Sequence, residues 1–330
     1  MDHPKFLIAL AGLFLVMTGL DPAKAAEQAV SGSHYTGSDK CADCHPEQFR
    51  DWQDSHHALS MQEAVPATVL ADFNNVSFKN EHIDILFHRD KGEYMARTAG
   101  PGGQVEDFPI RYTFGITPLQ EYIVAFPRGR FQVLPVAWDT LKKEWFFVQA
   151  SQNPEPEEWI HWTGGGMNWN GMCADCHSTN VKKNYSPGKD SYGTTFSAIN
   201  VGCEACHGPG STHVDRVTQP GYQAGQDDPA LDMGTGEDPK VLVDKCGRCH
   251  AWRRPVAEAF KHNSDQLLDY YLPAVLRDDL YYSDGQIKEE VFVYGSYLQS
   301  WKYQQNVSCL NCHDPHRGIG ICFQRMLLSA

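Results

Sequence analysis

Basic charge is scarce in this 330-residue chain: 28 Lys and Arg stand against 41 Asp and Glu, a formal net charge of −13. The basic residues are scattered, with no patch or stripe. That excludes the electrostatic footprint of a nucleic-acid binder and favours basic partners, or solubility alone. Long apolar runs are also lacking. The run from Phe6 to Leu20 holds about 15 residues, short of the ~20 that span a bilayer. Ala23-Lys24-Ala25 follows as a small-residue cleavage pattern. Residues 1–25 therefore read as a secretory signal peptide, cut to release a periplasmic or otherwise exported product. No other segment reads as a membrane span. Gly164 to Gly166 lacks the Lys-Ser/Thr of a P-loop, and no nucleophile elbow occurs. Apolar residues make up 42% of the chain, while Gly (28) and Pro (19) are plentiful. A sparse aliphatic core with many loops implies that something besides side chains fills part of the interior.

Cysteine, by contrast, is abundant and regular. Ten of the eleven cysteines fall in five copies of one pattern: CADCH at 41–45, CADCH at 173–177, CEACH at 203–207, CGRCH at 246–250 and CLNCH at 309–313. Every C-x-x-C is followed by His. Zinc ribbons need no such His, and a thioredoxin-like site expects one copy. C-x-x-C-H is the attachment signal of c-type haem. Two thiols two residues apart add to the vinyl groups on one porphyrin edge, and the next residue reaches the iron from one face. Cys41, Cys44, Cys173, Cys176, Cys203, Cys206, Cys246, Cys249, Cys309 and Cys312 are thus the expected attachment points of five covalent haems. His45, His177, His207, His250 and His313 are the expected proximal ligands, bound as neutral imidazoles. The haems would add about −5 to −10 to the formal charge, depending on oxidation state.

Outside the expected signal peptide, which holds His3, nine histidines remain for the opposite faces: His34, His56, His57, His82, His88, His161, His213, His262 and His316. His57 lies twelve residues after His45 in a stretch with apolar residues at Phe49, Trp52, Leu59 and Met61, consistent with a short helix packed on a haem. His213 and His316 stand too near their own motifs to reach round to the same iron and would more naturally serve a neighbouring haem. His161 and His262 are further candidates. His34, His56, His82 and His88, with the thioethers Met61, Met167 and Met172, are weaker ones.

The first two motifs are separated by a long segment of a different character. IDILFHRDKGEYMART reads as two strands around Lys91-Gly92, YIVAFPRGRFQVLPVAW as two more around Arg128-Gly129, and EWFFVQ as a further strand. Residues 26–71 read as a first haem-binding segment, 72–150 as an antiparallel β-rich insertion, and 151–317 as a haem-binding segment with four motifs. The acidic stretch within 208–245 reads as a solvated loop. Residues 280–304 suggest an Asp-Gly turn and then a helix. In the tail, 318–330, ICFQRM begins like a sixth motif at Cys322. Arg325 stands at the second cysteine and Met326 at the histidine, which implies a truncated motif from a longer multihaem protein.

The stretches CADCHPEQFRDWQDSHHALSM, NWNGMCADCHSTN, INVGCEACHGPGSTH, DGQIKEEVFVYGSYLQS and SCLNCHDPH together resemble the cytochrome c-554/c-552-type haem-binding family. More narrowly, they resemble the haem-binding part of secreted bacterial multihaem proteins that carry C-terminal tetratricopeptide repeats, which are absent here. The resemblance covers nearly all of 34–317. It implies that His57, in the W-x-x-S-x-H stretch, and His213, after C-H-G-P-G, are distal ligands. Tyr282 stands where such relatives often carry His. The implied fold is a mainly irregular or α multihaem c-type cytochrome with the β-rich insertion. The implied function is electron transfer with redox proteins as partners, without catalytic residues or a small-molecule substrate. Two alternatives are a multihaem oxidoreductase acting on a small nitrogen or sulfur compound and a haem-bearing scaffold fragment. The ammonia-forming nitrite reductases, similar in haem density, use a C-x-x-C-K motif that this chain lacks.

Overall fold

The computed structural model describes residues 32–149, 154–223, 231, 238–257, 266–288 and 293–320. The expected signal peptide, His262, Cys322 with its truncated motif, and most of the acidic stretch lie outside the described residues.

Strand rather than helix dominates the packing. An antiparallel meander runs in chain order through β2 (Val76–Lys79), β3 (Asp84–Asp90), β4 (Glu93–Ala99), β5 (Val105–Phe114), β6 (Leu119–Phe126), β7 (Arg130–Asp139) and β8 (Glu144–Phe147). The short β1 (Met61–Glu63) adds to β5. The expectation of a mainly irregular or α fold is thereby corrected: helix makes up 26% and strand 28%, and the sheet is nearly closed. The reason is economy at the motifs. A C-x-x-C-H needs one helical turn to bring two thiols and an imidazole to one cofactor, so α3 (Trp169–Met172), α4 (Ala174–His177) and α5 (Cys203–His207) are single turns. Among the described residues longer helices lie where a motif is approached or left, as in α2 (Pro46–Gln53), preceded by α1 (Ser38–Ala42), and later in α6 (Ser211–Val217) and α7 (Pro239–His250).

The sheet buries both of its faces where it meets the motifs. β3 and β4 alternate buried and open positions, as one-sided strands do, whereas β6 and β7 are buried almost throughout. One face carries an aromatic core of Phe73, Phe87, Tyr94, Phe108, Tyr122, Phe126 and Trp138. Its rings meet edge to face around Phe73, at 5.0–5.8 Å. The opposite face of β5–β7 packs Ile123 and Val133 against Met61, Trp169 and Ala174 of the motif region.

Two irregularities in the ladder steer this two-sided packing. A bulge between Ile110 and Tyr112 shifts the register of β5, so Phe108 and Ile110 face the aromatic core while Tyr112 and Phe114 face the motifs. In β7, Leu134 to Val136 stand opposite the single residue Tyr122, and the bulge contains Pro135, which has no N–H to give to a ladder.

The hairpins read around Lys91-Gly92 and Arg128-Gly129 are both present, with all four turn residues at positive φ. Gly129 is the more constrained. At φ 73° a Cβ there would lie 2.1 Å from the Tyr192 carbonyl oxygen. Gly129→Ala is expected to cost about 2 kcal/mol or more, read as a lowered thermal midpoint with haem content unchanged.

Candidate functional site

Motif 2 is set by a buried amide network. Asn168 caps α3 by accepting from Gly171 N–H at 3.0 Å, and its Nδ2 donates to Gln132 Oε1 of β7, also at 3.0 Å. Asn170 Oδ1 accepts from Phe131 N–H at 2.8 Å, and its Nδ2 donates to Thr194 Oγ1 at 2.8 Å. The two amides therefore continue the edge of β7 and fix the turn that presents Cys173. Asn170→Ala would strand the half-buried Phe131 N–H. It is expected to cost about 1–3 kcal/mol, measured by denaturant unfolding of the purified protein.

The other motifs are stitched together across long sequence distances. Ser38 Oγ accepts from Cys203 N–H at 3.1 Å, and Trp52 Nε1 donates to Val201 O at 2.9 Å, joining the first motif to the third. Ser60 Oγ donates to His177 O at 3.1 Å. Arg248 Nη1 donates to Ala205 O at 2.9 Å, joining the fourth motif to the third. Thiols of different motifs meet within hydrogen-bond range in three pairs: Cys41 with Cys203, Cys176 with Cys249, and Cys246 with Cys309. None of the ten motif cysteines forms a disulfide. Motif 4 thus touches motifs 2, 3 and 5, while motif 1 lies beside motif 3. Gly247, within motif 4, admits Tyr294 so closely that a Cβ would sit 2.7 Å from its ring. A cavity of about 260 Å³ lies beside the contact of motifs 4 and 5, lined by Cys246, His250, Tyr294, Tyr297, Cys309 and His313.

Three motif histidines face a second histidine from elsewhere in the chain. His45 and His213 have ring centroids 6.3 Å apart, His250 and His57 6.3 Å, and His207 and His316 6.3 Å. One metal between two imidazoles requires about this spacing. Metal–nitrogen distances of about 2.0–2.1 Å, plus roughly 1.1 Å from each nitrogen to its ring centre, sum to about 6.3 Å. The three equal distances fit an iron held axially from both sides. His213 is brought to the first motif and His316 to the third, not to the motifs they follow in sequence.

Burial lowers the pKa of His57 and His250, and pushes that of His177 down to about 4, with neighbouring imidazoles adding to the effect. These rings are therefore neutral, the form that binds iron. His57 Nδ1 lies 3.2 Å from Pro315 O. Donating there fixes the tautomer and leaves Nε2 as the coordinating atom, an outer-shell arrangement typical of metal-bound histidine. Among the described residues no group of three or more His, Cys, Asp or Glu could hold a metal unaided. Paired imidazoles suit an iron whose remaining ligands come from a porphyrin.

The remaining expected positions are placed differently. Among the described residues, neither His177 nor His313 stacks with another histidine. The ring beside His177 is Phe114, edge-on at 4.6 Å, aimed there by the β5 bulge. His161 turns back on Thr163, with Nδ1 to Oγ1 at 2.8 Å. His88 pairs with Asp107 on the sheet at 2.7 Å, and His82 lies by Glu81 and Phe147. His34 and His56 are exposed. Met61 is sealed in the core, Met167 packs against the same cluster and Met172 is exposed. Tyr282, also exposed, lies under Lys288.

Sequence reasoning missed Asn168, Asn170 and Gln132, along with two buried charges, Glu204 and Arg253. An N-cap signal before Trp169 was available for Asn168. No local pattern marks the other four.

Five C-x-x-C-H motifs and imidazoles paired at iron-binding distance define a multihaem c-type cytochrome, a class that carries electrons. The family model described as cytochrome c554 and c-prime matches residues 40–83 and 138–208, in line with the resemblance. That match is narrower than 34–317. It leaves out strands β3 to β6, most of β7, and the fourth and fifth motifs. The crystal structure of the outer cell wall cytochrome OcwA is similar in fold, with a TM-score of 0.55 and 18% identity over 87% of this chain. The chain spans 59% of the length of that protein. No curated protein matches the chain. Among the described residues no helix is long and apolar enough to cross a membrane.

Proposed function

We propose that this chain is an exported, periplasmic electron carrier with five covalent haems, attached at the five cysteine pairs. His45, His177, His207, His250 and His313 bind the irons proximally, while His213, His316 and His57 close the first, third and fourth. The observation that carries this is the repeated 6.3 Å spacing between imidazoles from distant parts of the chain. Haem c supplies reversible one-electron chemistry. The chain supplies axial ligands, burial and short separations between motifs, which set potentials and allow transfer. Motif adjacency supports a route from the first haem through the third to the fourth, with the second and fifth beside the fourth. Redox proteins are the partners, and the acidic surface favours a basic docking face.

A second reading follows from His177 and His313. An iron with one axial histidine has an open face, as a multihaem oxidoreductase of a small nitrogen or sulfur compound requires. A pyridine haemochrome count with an EPR spectrum of the purified protein tests both readings. Five low-spin haems support the carrier. A high-spin signal that changes on adding nitrite, hydroxylamine or sulfite supports the oxidoreductase. Fewer than five covalent haems contradicts the assignment of the motifs.

A further inference from the structure

Glu204 and Arg253 are charged side chains buried against the motifs, and they have opposite signs. Glu204, inside the third motif, is 3% exposed. Its Oε1 accepts from Thr36 N–H at 2.8 Å, Thr36 Oγ1–H at 3.3 Å and Gly210 N–H at 2.7 Å, and its Oε2 accepts from Gly37 N–H at 2.8 Å. Every partner is a donor and both oxygens accept, which suits a carboxylate and not an acid. The donors flank Cys41 on one side and His207 on the other. One negative charge is therefore enclosed between the first and third motifs, whose thiols Cys41 and Cys203 touch.

Arg253 is the counterpart at the second and fourth motifs. Its side chain is 6% exposed. Nη2 lies 3.2 Å from Cys176 Sγ, Nε donates to Arg248 O at 2.6 Å, and the guanidinium lies over the Tyr271 ring at 4.0 Å. Asp175 pairs with it at 2.7 Å through a buried oxygen, so the pair turns its positive end to the attachment sulfur that Nη2 touches. Arg248, which reaches from the fourth motif to Ala205 of the third, acts on both sides and does not distinguish them.

We propose that Glu204 and Arg253 are potential-setting residues that make the electron route directional. This rests on the electron-carrier reading. A negative charge in a low-dielectric interior opposes adding an electron to the nearby iron, and a positive charge favours it. Glu204 holds the haems of motifs 1 and 3 at low potential, and Arg253 holds the haem of motif 2 high. Electrons then run from the first and third motifs toward the second. The carboxylate contributes as a fixed charge and as the tie that keeps segment 33–37 on the third motif. The guanidinium contributes as a fixed charge and as a donor to the attachment sulfur.

The test is a visible-spectrum redox titration of the full haem-loaded protein, with haem content measured on each sample. Arg253→Gln is expected to make reduction of one haem about tenfold less favourable, 59 mV for a one-electron couple. Arg253→Lys, which keeps the charge, should remain within about threefold of the parent. Glu204→Gln is expected to shift one or two haems the opposite way by a similar factor. If Glu204→Gln loses haem because its donor set is broken, the Arg253 pair of variants decides alone. Curves that superimpose on the parent at full haem content, or that shift with the reverse sign, overturn the proposal and leave the carrier reading intact. A parent protein without covalent haem overturns the carrier reading instead.

Discussion

Changing Cys173 and Cys176 together to alanine is expected to reduce the haem count from five to four and to destabilise the chain more than the same change at Cys309 and Cys312. The two attachment sites differ in what surrounds them. Motif 2 is built into the sheet: Ala174 and Trp169 are fully buried against Ile123 and Val133. The amides of Asn168 and Asn170 lock its turn to β7. His177 is half-buried beside Phe114. Removing a large group from such a site leaves a lined cavity that the sheet cannot collapse, a loss on the order of 3–5 kcal/mol by analogy with removal of a buried aromatic ring. Motif 5 sits on a single 3₁₀ turn, Cys309–Asn311, with His313 exposed. Its loss should unseat the adjoining chain but leave the sheet intact. Haemochrome counts on both double variants, with thermal unfolding followed at far-ultraviolet and haem wavelengths, separate the two. Equal losses of stability would contradict the view that the sheet is the platform for motif 2.

The same contrast shows what the sequence made legible. The five attachment motifs are covalent grammar, readable because their spacing is dictated by porphyrin chemistry rather than by tertiary context. The Lys91-Gly92 and Arg128-Gly129 hairpins were equally open to reading, since tight two- and three-residue hairpin loops need positive φ, which a following Gly supplies. The balance of the fold was misjudged. The strands were read, but the motif-bearing segments suggested more helix than they hold, since the second and third motifs need only a turn each. The bulge that turns Phe114 toward His177 lies in the register of β5 on β6 and leaves no local trace. Glu204 reads in sequence as an ordinary acidic residue between two cysteines. Its meaning comes from Thr36, Gly37 and Gly210, two of them more than 160 residues away.

His57→Met is expected to raise the potential of one haem by roughly 100 mV or more, within the ≈0.8 V that axial ligands span, with that iron remaining six-coordinate. The ring of His57 faces His250 at 6.3 Å, the spacing of an imidazole pair about one metal. A thioether donates less charge than imidazole and favours the reduced iron. His57→Ala, which offers no ligand, should instead convert one low-spin signal to high-spin. The substitutions also remove the bond from Nδ1 to Pro315 O, worth about 1 kcal/mol. Pro315 adjoins His316, whose ring faces His207 at 6.3 Å. Any second change should therefore appear at the third motif's haem and not at the first, where His213 faces His45. EPR of the oxidised protein and a spectroelectrochemical titration read both effects. An unchanged low-spin spectrum and unchanged potentials in His57→Ala would remove His57 from the iron and leave the fourth motif's haem to be closed by another residue.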